Sequence, residues 1–125
     1  VFFYGALPFD EIEVFYLKCD FFISPSFYKE ETFGRVWVEA MAKKKPVIGT
    51  NHGNLKNIIK DQVNGFVVLP EVKNVKEAIL KAFYLSNDKY KFLSENAFRD
   101  SLSYKQSNIV NSIIQLIENI LKKKN

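Results

Sequence analysis

Two glutamates, Glu31 and Glu39, stand eight residues apart around the predicted start of a helix. If the helix begins near Gly34, Glu31 lies just before its first turn. Glu39 then lies about 7.5 Å from Gly34 along the helix axis. Between them are the free amides of the first helical turn, which carry the positive end of the helix dipole. This order of groups suits a ligand that presents hydroxyls, then phosphate, then hydroxyls. A nucleotide sugar is built in this way.

Glu39 is the more informative of the two acids because of the residues around it. Residues 36–41 are apolar on most sides of the predicted helix, as is typical of a helix that packs on a sheet. A carboxylate in such a helix needs hydrogen-bond donors, and a ribose diol supplies two. The alternative is a solvated charge paired with Arg35 or Lys43, and such pairs contribute only about 0.2–0.5 kcal/mol.

The sequence predicts alternating strands and helices to position these residues. The predicted strands are residues 1–4, 20–23, 46–49 and 66–69. The predicted helices are residues 10–18, 34–44, 55–60, 72–85, 88–98 and 105–122. Short apolar strands that alternate with helices indicate an α/β fold, a Rossmann-like parallel sheet with flanking helices and ligands at the carboxyl ends of its strands. Gly5, Ser26, the segment 31–34 and Gly53 all follow predicted strands, so we expect them at that edge.

A succession of motifs in residues 25–50 carries a family resemblance. The motifs are Pro25-Ser26, Glu31-Thr32-Phe33-Gly34, Glu39-Ala40-Met41-Ala42 and Pro46-Val47-Ile48-Gly49. Together they resemble the signature of retaining GT-B glycosyltransferases of the group 1 (family 4) class, which includes an E-x7-E pair. Further similarity at residues 3–5, 20–23 and 64–66 extends the resemblance over roughly residues 1–70.

The resemblance implies roles for particular residues. The implied substrate-binding set is Ser26, Glu31, Thr32, Phe33, Gly34 and Glu39. A less specific nucleotide-binding set is Gly5, Ala6, Leu7 and Gly53. In the family, the glutamate that matches Glu31 is catalytic and contacts the donor sugar, and the one that matches Glu39 binds the ribose diol.

The implied activity is transfer of a hexosyl group from a nucleotide sugar to an acceptor, with retention of anomeric configuration. The acceptor is a sugar, a lipid or a protein glycan. The family uses no metal, and basic groups and a helix N-terminus stabilise the leaving diphosphate. The alternatives are a GT-B epimerase or phosphorylase and, from another class, a non-catalytic nucleotide-binding or interaction module.

The resemblance also gives expectations for domain organisation. Residues 1–125 match the later part of the C-terminal nucleotide-sugar-binding domain. We therefore expect the first βα units and the N-terminal acceptor domain elsewhere in the same protein. We expect the isolated chain to be inactive and either poorly soluble or oligomeric. The predicted last helix has a wide apolar face, which packs either on this domain's own sheet or on the other domain.

The chain departs from the family pattern at several positions, and at three of them, Lys44, Asn54 and Gln62, the family has glycine. Lys44 stands just past the end of the predicted signature helix, where chains commonly adopt a left-handed conformation. We therefore expect Lys44 to be left-handed and Lys44→Gly to raise stability.

Composition excludes several classes of function. The 125 residues are 47% apolar and 15% aromatic, which fits one globular domain. The net charge of +4 is mild and is concentrated in residues 43–45 and 122–124, so we predict no nucleic-acid partner. One cysteine, Cys19, and one histidine, His52, exclude an internal disulfide and a His/Cys metal cluster. With no signal peptide and no apolar run of about 18 residues, we expect a cytoplasmic protein, with peripheral association at the inner face of the membrane as the alternative.

Overall fold

The computed structural model describes residues 2–27 and 34–122. The helices are α1 (Phe9–Lys18), α2 (Arg35–Ala42), α3 (Leu55–Ile58), α4 (Val72–Phe83), α5 (Asn87–Ser101) and α6 (Gln106–Lys122). The strands are β1 (Phe22–Ser24), β2 (Val47–Thr50) and β3 (Gly65–Val68), and a 3-10 turn at Leu102–Tyr104 joins α5 to α6. The predicted alternation of strands and helices is confirmed.

The three strands form one parallel sheet in the order β1-β2-β3. Val47 of the central strand lies opposite Phe22 of β1 and Gly65 of β3. All four residues of β2 are buried, as expected for the middle strand of a sheet with helices on both faces. The predicted fold class, a Rossmann-like parallel sheet with flanking helices, is confirmed.

The core lies on both faces of this sheet because successive β2 side chains point in opposite directions. Val47 packs in a cluster with Trp37 and Met41 of α2. Its neighbour Ile48 packs in a second cluster with Ala78 of α4. The sheet therefore fixes α2 on one face and α4 on the other.

The segment before β1 differs from the prediction. Residues 2–4, predicted as part of a first strand, form no strand, and Phe2 and Phe3 are 84% and 93% exposed. A strand needs a hydrogen-bonded neighbour, and the described sheet pairs only β1, β2 and β3. The first ordered strand begins at Phe22 rather than at residue 20.

The third helix ends earlier than predicted because of the buried side chain of Asn64. Its Oδ1 accepts from the Lys60 amide at 2.8 Å, and its Nδ2 donates to the Ile58 carbonyl at 3.2 Å. The same Nδ2 donates to Asp100 Oδ2 on α5 at 2.8 Å. These bonds hold the chain in an extended turn after α3 and fasten that turn to α5.

The left-handed conformation expected of Lys44 is confirmed, with φ of 61°. The Lys45 amide donates to the Ala40 carbonyl at 3.0 Å, and the Lys44 amide donates to the Met41 carbonyl at 2.9 Å. This pair of bonds is the Schellman arrangement that ends helices. Gln62, another position where the family has glycine, has φ of 60°.

The wide apolar face of α6 is not covered within the described chain. Its eight large apolar side chains are each between 45% and 60% exposed, and no residue of α6 is buried. They are Ile109, Val110, Ile113, Ile114, Leu116, Ile117, Ile120 and Leu121. Packing of this face on the domain's own sheet, one of the two expectations, is therefore wrong.

Candidate functional site

α2 begins at Arg35, within one residue of the start that the sequence predicts. Gly34 is the N-cap residue, and as a glycine it has no side chain that could cap the helix. The first turn of the helix contains no acidic residue. Arg35 adds a positive charge at the first helical position. Uncapped amides, the helix dipole and an arginine together favour an anion at this end of α2.

Gly34 has a structural role that the sequence did not reveal. Its φ of −78° is open to any residue. A Cβ built at this position would lie 2.4 Å from two atoms of the Trp37 ring, and Trp37 is buried in the core. The glycine is therefore required for packing of the indole against the backbone, independently of any ligand.

Glu39 is half-buried on the second turn of α2, and its carboxylate is bonded to another helix. The hydroxyl of Tyr16 on α1 donates to Glu39 Oε2 at 3.2 Å and also lies 3.4 Å from the Val36 carbonyl oxygen. Burial, followed by the charge of Glu39, raises the pKa of Tyr16 to about 12, so the hydroxyl keeps its proton at neutral pH. The ion pairs among the described residues join Lys43 to Glu13 and Lys60 to Asp100, and Glu39 belongs to neither. Glu39 therefore differs from the solvated, lysine-paired glutamate of the alternative interpretation.

A cleft of about 350 Å³ opens beside Glu39, between α2 and the start of α6. Arg35 and Glu39 supply its charged groups, and Val38, Ile109 and Val110 supply apolar wall. This volume lies at the small end of the range for small-molecule sites, about 300–1,000 Å³. The cleft therefore has room for part of a nucleotide, with a carboxylate and a guanidinium on its walls.

The carboxyl edge of the sheet brings Ser26 beside Thr50. Ser26 follows β1, and its carbonyl oxygen accepts a hydrogen bond from the hydroxyl of Thr50, the last residue of β2. Thr50 was not predicted as a site residue because the sequence placed the end of this strand at Gly49. Its hydroxyl, which is buried, holds the backbone at Ser26, two residues after the end of β1.

The residues of the less specific set occupy two separate turns. Gly53 lies between β2 and α3 with φ of 53°, and Gly5 lies before α1 with φ of 68°, so both use the conformational freedom of glycine. Ala6 is exposed and Leu7 is half-buried. Gly53 follows a strand as predicted, since it lies three residues after the end of β2. The expectation that Gly5 also follows a strand is wrong, because residues 2–4 form none.

Three predicted site residues, Glu31, Thr32 and Phe33, lie outside the described residues. Their roles stay predictions. Among residues 2–27 and 34–122, no three side chains of His, Cys, Asp or Glu come together as a metal site. In the same part of the chain, no helix is both long enough and apolar enough to cross a membrane.

The chain matches known proteins in both sequence and structure. The family model of glycosyl transferases group 1 matches residues 1–100. An uncharacterised glycosyltransferase of Methanocaldococcus jannaschii is 36% identical over 118 residues, which are 93% of this chain and 32% of that protein. The chain thus spans about a third of the length of this curated relative.

Two solved structures share the fold. A sucrose-phosphate synthase from Thermosynechococcus elongatus superimposes with a TM-score of 0.79 over 95% of this chain and 30% of that one, at 24% identity. The Anabaena protein HepE, solved in complex with UDP-glucose, superimposes with a TM-score of 0.67 over 86% of this chain and 29% of that one, at 27% identity. Because the family model covers most of the sequence and the relatives share its fold, the chain belongs to the group 1 glycosyltransferases with the GT-B fold.

Proposed function

We propose that this chain supplies the donor-binding part of an enzyme that transfers a hexosyl group from a nucleotide sugar to an acceptor, with retention of anomeric configuration. Family membership supports sugar transfer as the general activity. The Anabaena neighbour was solved with UDP-glucose, which makes a uridine nucleotide the first donor to test. Retention, the donor-binding role and the residue assignments are parts of the proposal.

The observation that carries the proposal is the placement of Glu39. Its carboxylate stands on the helix whose uncapped N-terminus and Arg35 favour an anion, and it borders a cleft of about 350 Å³. Glu39 lies about 7.5 Å along the axis from Gly34, at the helical rise per residue. That spacing allows one ligand to place a phosphate at the helix N-terminus and a ribose diol at Glu39.

The proposed roles follow from the charges involved. Glu39 accepts hydrogen bonds from the ribose hydroxyls. The backbone amides of Thr32, Phe33 and Gly34, which precede α2 in the sequence, stabilise the departing diphosphate without a metal ion. Glu31 holds the donor sugar and stabilises the positive charge that develops on it, while the departing phosphate takes the proton of the acceptor.

The test compares three glutamate variants in the full-length protein. Glu39→Ala should weaken binding of UDP by about 1.5–3 kcal/mol, because a hydrogen-bonded charged partner is lost. Glu31→Gln should mainly lower kcat, because the charge on the sugar develops in the transition state. Glu95→Ala, which removes an exposed glutamate of α5, is the matched control and should change neither quantity.

Isothermal titration with UDP, ADP and GDP measures the binding, and transfer of radiolabelled sugar measures kcat. The assignment is wrong if Glu39→Ala binds the preferred nucleotide as tightly as Glu95→Ala does. NMR of the product tests retention, since inversion would give the opposite anomer. Chelation with EDTA should leave kcat unchanged, and a loss that is restored by added divalent cation would overturn the metal-free part of the proposal.

A further inference from the structure

The bond between Tyr16 and Glu39 has no part in the roles described so far. Tyr16 is 7% exposed, and its ring packs on Phe22 of β1 with the centroids 5.8 Å apart. Its hydroxyl is thus held at the end of a rigid aromatic side chain anchored in the core. Glu39, by contrast, has three rotatable side-chain bonds and needs a restraint to keep one orientation.

We infer that Tyr16 is a positioning residue that holds the Glu39 carboxylate in the orientation that receives a ribose diol. This inference rests on the proposed function, because it assigns Tyr16 a role only through the ligand of Glu39. The hydroxyl has a single proton, which it shares between Glu39 Oε2 at 3.2 Å and the Val36 carbonyl oxygen at 3.4 Å. It therefore fixes the carboxylate relative to the first turn of α2, where the phosphate is proposed to bind.

The hydrogen-bonding capacity of Glu39 is compatible with both partners. An ionised carboxylate has about four lone-pair sites, and the Tyr16 hydroxyl occupies one of them on Oε2. The remaining sites can accept from both hydroxyls of a diol. Because the raised pKa keeps Tyr16 protonated, the hydroxyl remains a donor throughout the neutral range.

A purely structural role for Tyr16 is the competing explanation, since the same bond also joins α1 to α2. Two other contacts hold α1 in place when the hydroxyl is removed, one to α2 and one to β1. Lys43 of α2 forms an ion pair with Glu13 of α1, and the Tyr16 ring stays on Phe22 in a Tyr16→Phe variant. The hydroxyl can therefore be deleted with little effect on the packing of α1.

The chain offers a matched control in Tyr90. Its hydroxyl donates to the Asp20 carbonyl oxygen at 3.2 Å, the same length as the Tyr16–Glu39 bond, and burial raises its pKa as well. Tyr90→Phe thus deletes a tertiary hydrogen bond of the same length that does not involve Glu39. Any effect that exceeds that of Tyr90→Phe belongs to the contact with Glu39 rather than to loss of a hydroxyl in general.

The experiment is a double-mutant cycle in the full-length protein, read by titration with UDP. Tyr16→Phe should weaken UDP binding about three- to tenfold, as expected for one hydrogen bond. In the Glu39→Ala background, the same substitution should change the Kd by less than about twofold, because its effect acts through Glu39. Tyr90→Phe should leave the Kd unchanged in both backgrounds. In steady-state kinetics, Tyr16→Phe should raise the donor KM and leave kcat unchanged.

A second nucleotide separates the positioning role from general destabilisation. With 2′,3′-dideoxy-UDP, which lacks the diol, Tyr16→Phe should have no effect on affinity. The inference is overturned if Tyr16→Phe weakens UDP and the dideoxy nucleotide equally, or no more than Tyr90→Phe does. If Glu39→Ala itself leaves the affinity for UDP unchanged, the proposed function of Glu39 fails first and the inference fails with it.

Discussion

Two non-glycine residues in left-handed conformations, Lys44 and Gln62, form a matched pair for a stability test. Their φ angles are 61° and 60°, so glycine should relieve the same steric conflict at both positions. This relief is about 1–2 kcal/mol per residue. Glycine also increases the entropy of the unfolded chain, which reduces the gain by about 0.4–1 kcal/mol. We therefore expect Gln62→Gly to raise the free energy of unfolding by about 0.5–1 kcal/mol.

The two side chains make different contacts. Gln62 Nε2 donates to Asp61 Oδ2 at 3.2 Å, a solvent-exposed bond between adjacent residues, whereas Lys44 contacts an aromatic ring. Its ammonium group lies 5.6 Å from the centre of the Phe98 ring on α5. At an exposed site such a cation–π contact contributes about 0.5–1 kcal/mol, and Lys44→Gly removes it. The Schellman bonds and the bond from Ser94 Oγ to the Lys44 carbonyl involve only the backbone of Lys44 and should persist. The net change in the free energy of unfolding caused by Lys44→Gly should thus be close to zero. This is smaller than the increase in stability that we expect from the sequence alone.

Urea unfolding of the 125-residue chain measures both changes, at concentrations where sedimentation shows a monomer, because self-association would make the apparent stability depend on concentration. Trp37 is the only tryptophan and is 1% exposed, so its fluorescence reports unfolding of the core. The free energy of unfolding of the Gln62→Gly variant should be higher than that of the Lys44→Gly variant by about 0.5–1 kcal/mol. A Phe98→Leu background, which removes the ring, should abolish that difference while the m-value stays constant. A larger gain for Lys44→Gly than for Gln62→Gly would refute the reasoning.

Three more predictions follow from the packing. Gly34→Ala should destabilise the chain by about 1–3 kcal/mol, since its Cβ overlaps the buried Trp37 ring, and an unchanged urea midpoint would contradict this account. Asn64→Ala should lower the unfolding free energy by about 1.5–3 kcal/mol through loss of its bond to the Asp100 carboxylate; protection of the turn after α3 from hydrogen exchange should fall with it. Ile113→Glu on the apolar face of α6 should reduce self-association of the 125-residue chain in sedimentation experiments, and an unchanged oligomer distribution would show that this face plays no part in association.

The parts of the fold that depend on local pattern were predictable from the sequence. The helical periodicity of α1 and α2 and the short apolar strand β2 placed these elements to within two residues. The parallel direction of the strands followed from their alternation with helices. The early end of α3 was not predictable, because it depends on Asn64, which lies six residues beyond the last residue of that helix.

The site was predictable only in part, for a similar reason. The helix start at Gly34 and the position of Glu39 follow from the sequence motif, and the structure describes both. Tyr16 is 23 residues from Glu39, and the packing of α1 on α2 alone brings them together. The helical spacing of Ile12, Phe15 and Tyr16 in the sequence is typical of an apolar face and agrees with the buried ring, but it does not reveal the bond made by the hydroxyl.

The buried carboxamide of Asn64 also protects a chemically weak point of the chain. An asparagine followed by glycine deamidates readily, because the next backbone nitrogen can attack the side-chain carbonyl carbon through an unhindered approach. In the folded chain, both polar atoms of the Asn64 carboxamide are held by hydrogen bonds and the residue is fully buried, so the side chain cannot rotate into the attacking geometry. Deamidation at Asn64-Gly65 should therefore proceed only through molecules in which the turn after α3 has opened. The amount of isoaspartate that accumulates at this position during ageing of the protein would therefore report how often the turn after α3 opens.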